Sequence, residues 1–237
     1  MQETLDNYQT FARPVATEQE DVQAAFIRKT YMHVALAVLG FVAVEAVFLN
    51  TPFIVNIGLS MASGMTWLLV LGAFMFATNY LERWAIRSED KQQQYLALTL
   101  YVVVEAFIFV PLLYMAMMMT GDLSVISQAG TVTLFLFSGL TAVVFLTGKD
   151  FSFLRSAITI GGFIAIGLVV AGMLFGFSLG LWFSVAMVVL AAGSILYQTS
   201  SIMNGYHKGQ YVAASLGLFS SLMLLFWYIL SIFMSQD

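Results

Sequence analysis

The stretch from Leu190 to Phe233 contains the polar residues whose spacing best suggests a site. Ser194 and Gln198 lie four residues apart in one apolar segment, and Gly217 and Ser221 have the same spacing in the next. Residues four apart share a face of a helix. An unpaired amide in apolar surroundings costs free energy. Gln198 is therefore expected to find a partner across this helical hairpin, where the small residues leave room for it.

Two carboxyl groups also lie within apolar segments. Glu105 is in the middle of the third segment and Glu45 is near the end of the first. Ionisable groups inside membrane helices mark functional sites by default. Two interpretations of Glu105 stay open, a role in a polar pathway and a neutral structural carboxyl with a hydrogen bond. Glu45 is expected to be structural and to reach water at the outer end of its helix, and Arg83 is interpreted as part of a solvated helix end.

The sequence offers no pattern for enzymatic or metal chemistry. It has no cysteine, and His33 and His207 lie in unrelated segments, whereas a metal site needs several converging ligands. No serine lies in the G-x-S-x-G pattern of hydrolases. The net charge is -4 and there is no basic patch for nucleic acid. We therefore expect no enzyme activity, no metal, no cofactor and no nucleic acid partner.

Composition indicates a protein whose main partner is the lipid bilayer. Of 237 residues, 60% are hydrophobic and 9% are charged, whereas globular proteins carry about 25% charged residues. A spanning helix needs about 20 apolar residues, and the chain has seven such runs. These runs are roughly 30–49, 65–81, 95–118, 129–147, 156–175, 179–200 and 211–233. The predicted fold is an all-α polytopic membrane protein with seven transmembrane helices.

Cationic residues alternate between the predicted loops. They precede the first helix or follow the second, fourth and sixth, whereas the other loops and the C-terminal end carry neither Lys nor Arg. By the positive-inside rule, this predicts a cytoplasmic N-terminus and an outside C-terminus in a cytoplasmic (inner) membrane. Residues 1–28 are predicted to form a polar cytoplasmic tail, disordered or a short surface helix, and residues 29–237 the transmembrane domain. Acidic residues before the first apolar run argue against a signal peptide.

Two stretches carry a resemblance to a known family. Thr147–Ser156 reads TGKDFSFLRS, in which Lys149 and Asp150 resemble the loop between the fourth and fifth helices of the Bax inhibitor-1 (transmembrane Bax inhibitor motif) family. Ile195–Met203 reads ILYQTSSIM and resembles the signature of that family's sixth helix. The resemblance is strongest to the bacterial, YccA-like members. It implies seven helices with the last one central and surrounded by the other six.

The resemblance has departures that bear on function. Calcium-leak members of the family have two facing aspartates on their last two helices, and the matching residues here are Gln198 and Ser221, which cannot ionise. A proton-sensitive latch of that form cannot exist in this chain. Arg83 matches the arginine that the family places near the end of the second helix.

Three functions follow as expectations. The leading one is a modulator or slow substrate of a membrane-bound ATP-dependent protease of the FtsH type, as the resemblance implies for bacterial members, with the polar tail as the part the protease engages. The alternative is a leak channel for calcium or another cation. The third is a structural membrane protein with neither activity.

Overall fold

The computed structural model describes residues 20–207 and 209–235 of the chain. This part of the chain contains eight α-helices joined by short connections. In chain order they are α1 Glu20–Leu49, α2 Pro52–Met61, α3 Gly64–Arg87, α4 Lys91–Thr120, α5 Ser124–Thr147, α6 Leu154–Phe175, α7 Gly180–Asn204 and α8 Tyr211–Met234.

Seven of these helices are long and apolar enough to cross a membrane, which confirms the predicted count and the all-α class. The main difference from prediction is at the start, since α1 begins at Glu20, ten residues before the predicted run. The predicted boundary at residue 28 therefore falls inside a continuous helix. Residues 1–19, which form most of the predicted tail, lie outside the described residues.

The short helix α2 was not predicted. Pro52 occupies its first turn, where a missing N–H costs nothing because that group has no partner within the helix. Gly58 lets α2 lie directly on α4, since a Cβ at this position would be 3.0 Å from Val110 Cγ1 and 3.5 Å from Pro111 Cδ. The proline inside α4 is thus covered by the smallest residue of a neighbouring helix.

The last helix, α8, is central in the bundle, as predicted. It packs against α1, α3, α4, α5 and α7, and its buried residues run from Val212 to Leu230. A second helix, α4, is equally buried and packs against α1, α2, α3, α5 and α8. The core therefore lies along two helices rather than one.

One transmembrane helix does not touch α8. Within the described residues, α6 packs on α7 and α3 only, so five helices and not six surround α8. The connection from α6 to α7 is short, and Gly176 and Gly180 on either side of it have φ values of 73° and 66°, which favour glycine. Because α6 packs on α7 and α3 and not on α8, a gap lies between α6 and α8.

Candidate functional site: the hairpin of α7 and α8

The centre of the hairpin is closed by a pair of serines. Ser194 of α7 and Ser221 of α8 are hydrogen-bonded across the interface, with 2.8 Å between their Oγ atoms. The Ser221 hydroxyl also lies 3.1 Å from the carbonyl of Gly217, where it can donate one turn back in α8. The polar contact that Ser221 makes across the interface is therefore neutral on both sides.

Within the described residues, Gln198 makes no hydrogen bond to Ser221, the residue with which the family resemblance pairs it. Its side-chain amide lies instead on Gly217, where a Cβ would be 3.0 Å from both Oε1 and Nε2 and 3.1 Å from Cδ. The small face of α8 does leave room for Gln198, but Ser194, one turn earlier in α7, is the residue in register with Ser221.

The two stretches that resemble the family meet in space. In the loop between α5 and α6, the backbone N–H of Phe151 donates to Ser200 Oγ at 3.0 Å, and Ser200 Oγ donates to Asp150 Oδ1 at 3.2 Å. Ser200 is buried near the end of α7. Asp150 and Phe151 thus attach this loop to the signature stretch of α7.

Asp150 is held as an ionised carboxylate by local donors. The backbone N–H of Ser152 donates to Oδ1 at 2.8 Å, and the Ser152 hydroxyl donates to Oδ2 at 3.0 Å. These hydrogen bonds, with a smaller contribution from Ser200, lower the pKa of Asp150 below its usual value. The carboxylate is exposed and acts as an anchor for the loop.

Arg83 and Lys149 lie apart from the hairpin centre. Arg83 is exposed in the last two turns of α3, and Lys149 is exposed in the loop after α5. The backbone N–H of Lys149 is 3.5 Å from Thr147 Oγ1. Both charges stand at the ends of helices and not on a path through the bundle.

The N-terminal helix is attached to the same end of α7. Gln23 Nε2 donates to the carbonyl of Met203 at 3.1 Å, and Tyr31 OH donates to Thr199 Oγ1 at 3.3 Å. The start of α1, the loop after α5 and the end of α7 therefore lie on one side of the bundle, which we call the charged side.

A cluster of aromatic and basic side chains on the charged side was not predicted. Lys91 Nζ donates to the carbonyl of Gly209 and lies 4.1 Å from the centre of the Tyr211 ring. His33 Nε2 is 3.1 Å from Tyr95 OH, which in turn is 3.4 Å from Tyr211 OH. These residues come from α1, α4 and α8, so no local pattern could have brought them together.

Glu105 lies in a cleft that occupies the gap beside α6. The cleft has a volume of about 530 Å³ and is bounded by α3, α4, α6, α7 and α8. Glu105 is 6% exposed, and its Oε2 has no hydrogen-bond partner among the described residues. The hydrogen bond expected for a structural carboxyl is not found at this oxygen.

Glu45 lies in a second cleft, of about 450 Å³, between α1, α4, α5 and α8. It is 4% exposed, and neither of its oxygens has a hydrogen-bond partner in the described part of the chain. The expectation that Glu45 reaches water at the helix end is therefore wrong. Met223 of α8 lines both clefts and separates them.

Comparison with known proteins covers most of the chain. The family model described as "Inhibitor of apoptosis-promoting Bax1" matches residues 23–237. An uncharacterized protein of Pseudomonas aeruginosa is 39% identical over 124 residues, 52% of this chain and 55% of that protein. An uncharacterized membrane protein of Vibrio cholerae is 32% identical over 109 residues, 46% of this chain and 48% of that protein.

Each of these alignments spans about half the length of the relative. The family match is much longer and includes the loop motif around Asp150, the signature stretch of α7 and the central helix α8. The chain therefore belongs to the Bax inhibitor-1 family.

Proposed function

We propose that this protein is a YccA-like interaction protein of the inner membrane, which acts as a modulator or slow substrate of a membrane-bound ATP-dependent protease of the FtsH type. The observation that carries the proposal is the neutral Ser194–Ser221 contact at the centre of the hairpin. Two facing carboxylates can titrate as a unit and switch helix packing with pH. Two hydroxyl groups cannot, so the Ser194–Ser221 contact provides no charge switch that would open an ion path between α7 and α8.

The contacts of α1 support the role of the N-terminal segment as the part a protease engages. Gln23 and Tyr31 attach the start of α1 to the end of α7 by a hydrogen bond each. A pull on residues 1–19 would load the Gln23 contact first and would then reach Phe26, which is buried in the core. Because a single neutral hydrogen bond contributes only about 0.5–1.5 kcal/mol, we expect the first turn of α1 to detach before the part of the helix that packs on α4 and α8.

Deletion of residues 2–19 tests the proposal. We expect the truncated chain to fold, to lose crosslinking to the protease in native membranes and to become long-lived in a pulse-chase. The matched control replaces residues 2–19 with an unrelated polar segment of the same length, which should restore turnover if the protease needs only an unstructured end. Unchanged turnover of the truncated chain would contradict the proposal.

A cation leak is the second candidate, and one observation favours it. Glu105 is a buried carboxyl with an unpaired oxygen half-way along α4, and such groups mark ion pathways in membrane proteins. Calcium flux into liposomes that contain the purified protein would separate the two functions. Flux that is abolished by Glu105→Gln would favour the leak, whereas a silent parent protein that crosslinks to the protease would favour the modulator.

A further inference from the structure

We propose that the cleft between α6 and α8 is a binding site for one hydrophobic organic cation, held by the Glu105 carboxylate and by aromatic rings. This site does not depend on the proposed interaction with a protease. It rests on three features of the cleft, which are its unpaired carboxyl, its aromatic walls and its depth in the membrane.

The first feature is that Glu105 Oε2 has no partner among the described residues, whereas the hydroxyl groups of Tyr101, Ser220 and Thr78 each have one. Tyr101 OH donates to Ser220 Oγ at 2.8 Å, and Thr78 Oγ1 donates to the carbonyl of Phe74 at 2.8 Å. These groups therefore satisfy each other or their own helix. A buried carboxylate is costly unless it is paired, and the lining residues include no Lys, Arg or His. A positive charge for Glu105 has to come from a ligand.

The second feature is the aromatic lining. Eight of the residues that line the cleft are aromatic, and three of them, Trp67, Phe109 and Trp227, pack against one another. The rings of Trp67 and Trp227 are stacked with their centroids 6.3 Å apart, and Trp227 meets Phe109 edge-on at 4.9 Å. Aromatic faces attract organic cations, most strongly in sites without water. The second cleft has only two aromatic residues, Phe41 and Phe226.

The third feature is depth, which decides the source of the cation. Glu105 lies half-way along the 30-residue α4, which places it roughly 20 Å from either end of the helix. The amines of lipid headgroups lie outside the hydrocarbon core, whose half-thickness is about 15 Å. A headgroup therefore does not reach Glu105, whereas a freely diffusing hydrophobic cation does. A cleft of about 530 Å³ is in the range of sites for drug-sized molecules.

Equilibrium dialysis with radiolabelled tetraphenylphosphonium tests the proposal. The full chain is purified in nonionic detergent and kept in mildly alkaline buffer, and triphenylphosphine oxide serves as the uncharged comparator. We expect saturable binding of one cation per chain and much weaker competition by the phosphine oxide. No saturable binding, or equal affinity for the two compounds, would overturn the proposal.

Two pairs of variants locate the site. Glu105→Gln should raise the Kd by about tenfold or more, as expected for loss of a charge-assisted contact, whereas Glu45→Gln in the second cleft should leave the Kd within about twofold. Trp227→Leu should weaken binding several-fold, whereas Trp182→Leu should not, because Trp182 is 83% exposed and lies outside the cleft. The tryptophan pair decides the matter if Glu105→Gln does not fold. Equal effects within a pair, or loss of binding in Glu45→Gln alone, would show that the cation binds elsewhere.

Discussion

Single polar residues in this bundle differ in whether the protein supplies their partner. Ser194 and Ser221 satisfy each other, and so do Tyr101 and Ser220. Glu105, in contrast, is buried and has an oxygen that finds no partner in the described part of the chain. A buried polar group without a partner lowers stability, and functional sites are where such costs are often found. The stability of Glu105 variants is therefore informative about its role.

Glu105→Leu is expected to be at least as stable as the parent protein. Leucine leaves no known partner unsatisfied and removes an unpaired oxygen, whose burial costs about 1–3 kcal/mol. The melting temperature in detergent should stay equal or rise by roughly 2–4 °C per kcal/mol gained, and Glu105→Gln should melt close to the parent. A fall of several degrees in the leucine variant would mean that the carboxyl has a buried partner after all.

The contribution of Asp150 to stability should depend on pH. Its pKa is lowered by the hydrogen bonds from Ser152, so its stabilising effect is fully present above the unfolded value of about 3.9. The effect is lost as pH falls through the lower pKa of the folded state. Melting temperatures of the parent and of Asp150→Asn should differ by a constant amount from neutral pH down to about pH 4, and converge below it.

The control for this experiment is Glu89→Gln, which changes an exposed carboxyl in the loop between α3 and α4. It should melt like the parent at every pH. If Asp150→Asn also melts like the parent at neutral pH, the carboxylate does not anchor the loop to α7.

At the level of helices, the sequence predicted the two arms of the hairpin of α7 and α8 but not the register between them. Ser194 and Gln198 share one face of α7, so either could have opposed Ser221. The choice depends on the relative rotation and offset of two helices, which residue spacing within one helix does not contain. Contact of the Gln198 amide with Gly217 fixes that offset.

Gly217→Ala is therefore expected to strain the hairpin. The added Cβ would be 3.0 Å from the Gln198 amide, and overpacking of this kind costs typically about 1–3 kcal/mol. The double variant with Gln198→Ala should recover most of this loss, because the shorter side chain leaves the methyl group its space. Thermal unfolding in detergent measures both effects.

Gly167→Ala supplies the matched control, since a Cβ there has no heavy atom within 4 Å. This variant should be neutral or slightly more stable, because alanine favours a helix over glycine. If Gly217→Ala were equally harmless, or if Gln198→Ala gave no recovery, the close approach of Gln198 to α8 would not determine the packing of the hairpin.

At the scale of the whole molecule, sequence predicted the features that are local and missed those that depend on packing. A run of about 20 apolar residues is long enough to form a helix that spans the membrane, so the seven spanning helices could be found from hydropathy. The ten residues of α2 are too short for that signal. Both clefts were missed for a different reason, because membrane helices are apolar on lipid-facing and protein-facing sides alike. The separation of α6 from α8 is set by the packing of all the helices in the bundle, which no single stretch of sequence contains.

The distribution of charge over all the loops predicts the side of the membrane on which each loop lies. This can be tested with single introduced cysteines, because the chain has no cysteine of its own. The Lys and Arg residues that the structure describes lie on the charged side, so the positive-inside rule places that side in the cytoplasm. Single cysteines at the exposed positions Glu89 and Asp122 report the two sides. In spheroplasts, a membrane-impermeant maleimide should label Asp122→Cys at once and label Glu89→Cys only after lysis.

The control is the cysteine-free parent, which should not be labelled. Labelling of Glu89→Cys in intact spheroplasts, with Asp122→Cys protected, would mean that the bundle is inserted in the opposite orientation. The N-terminal segment would then face away from a cytoplasmic protease, and the proposed function would fail with it.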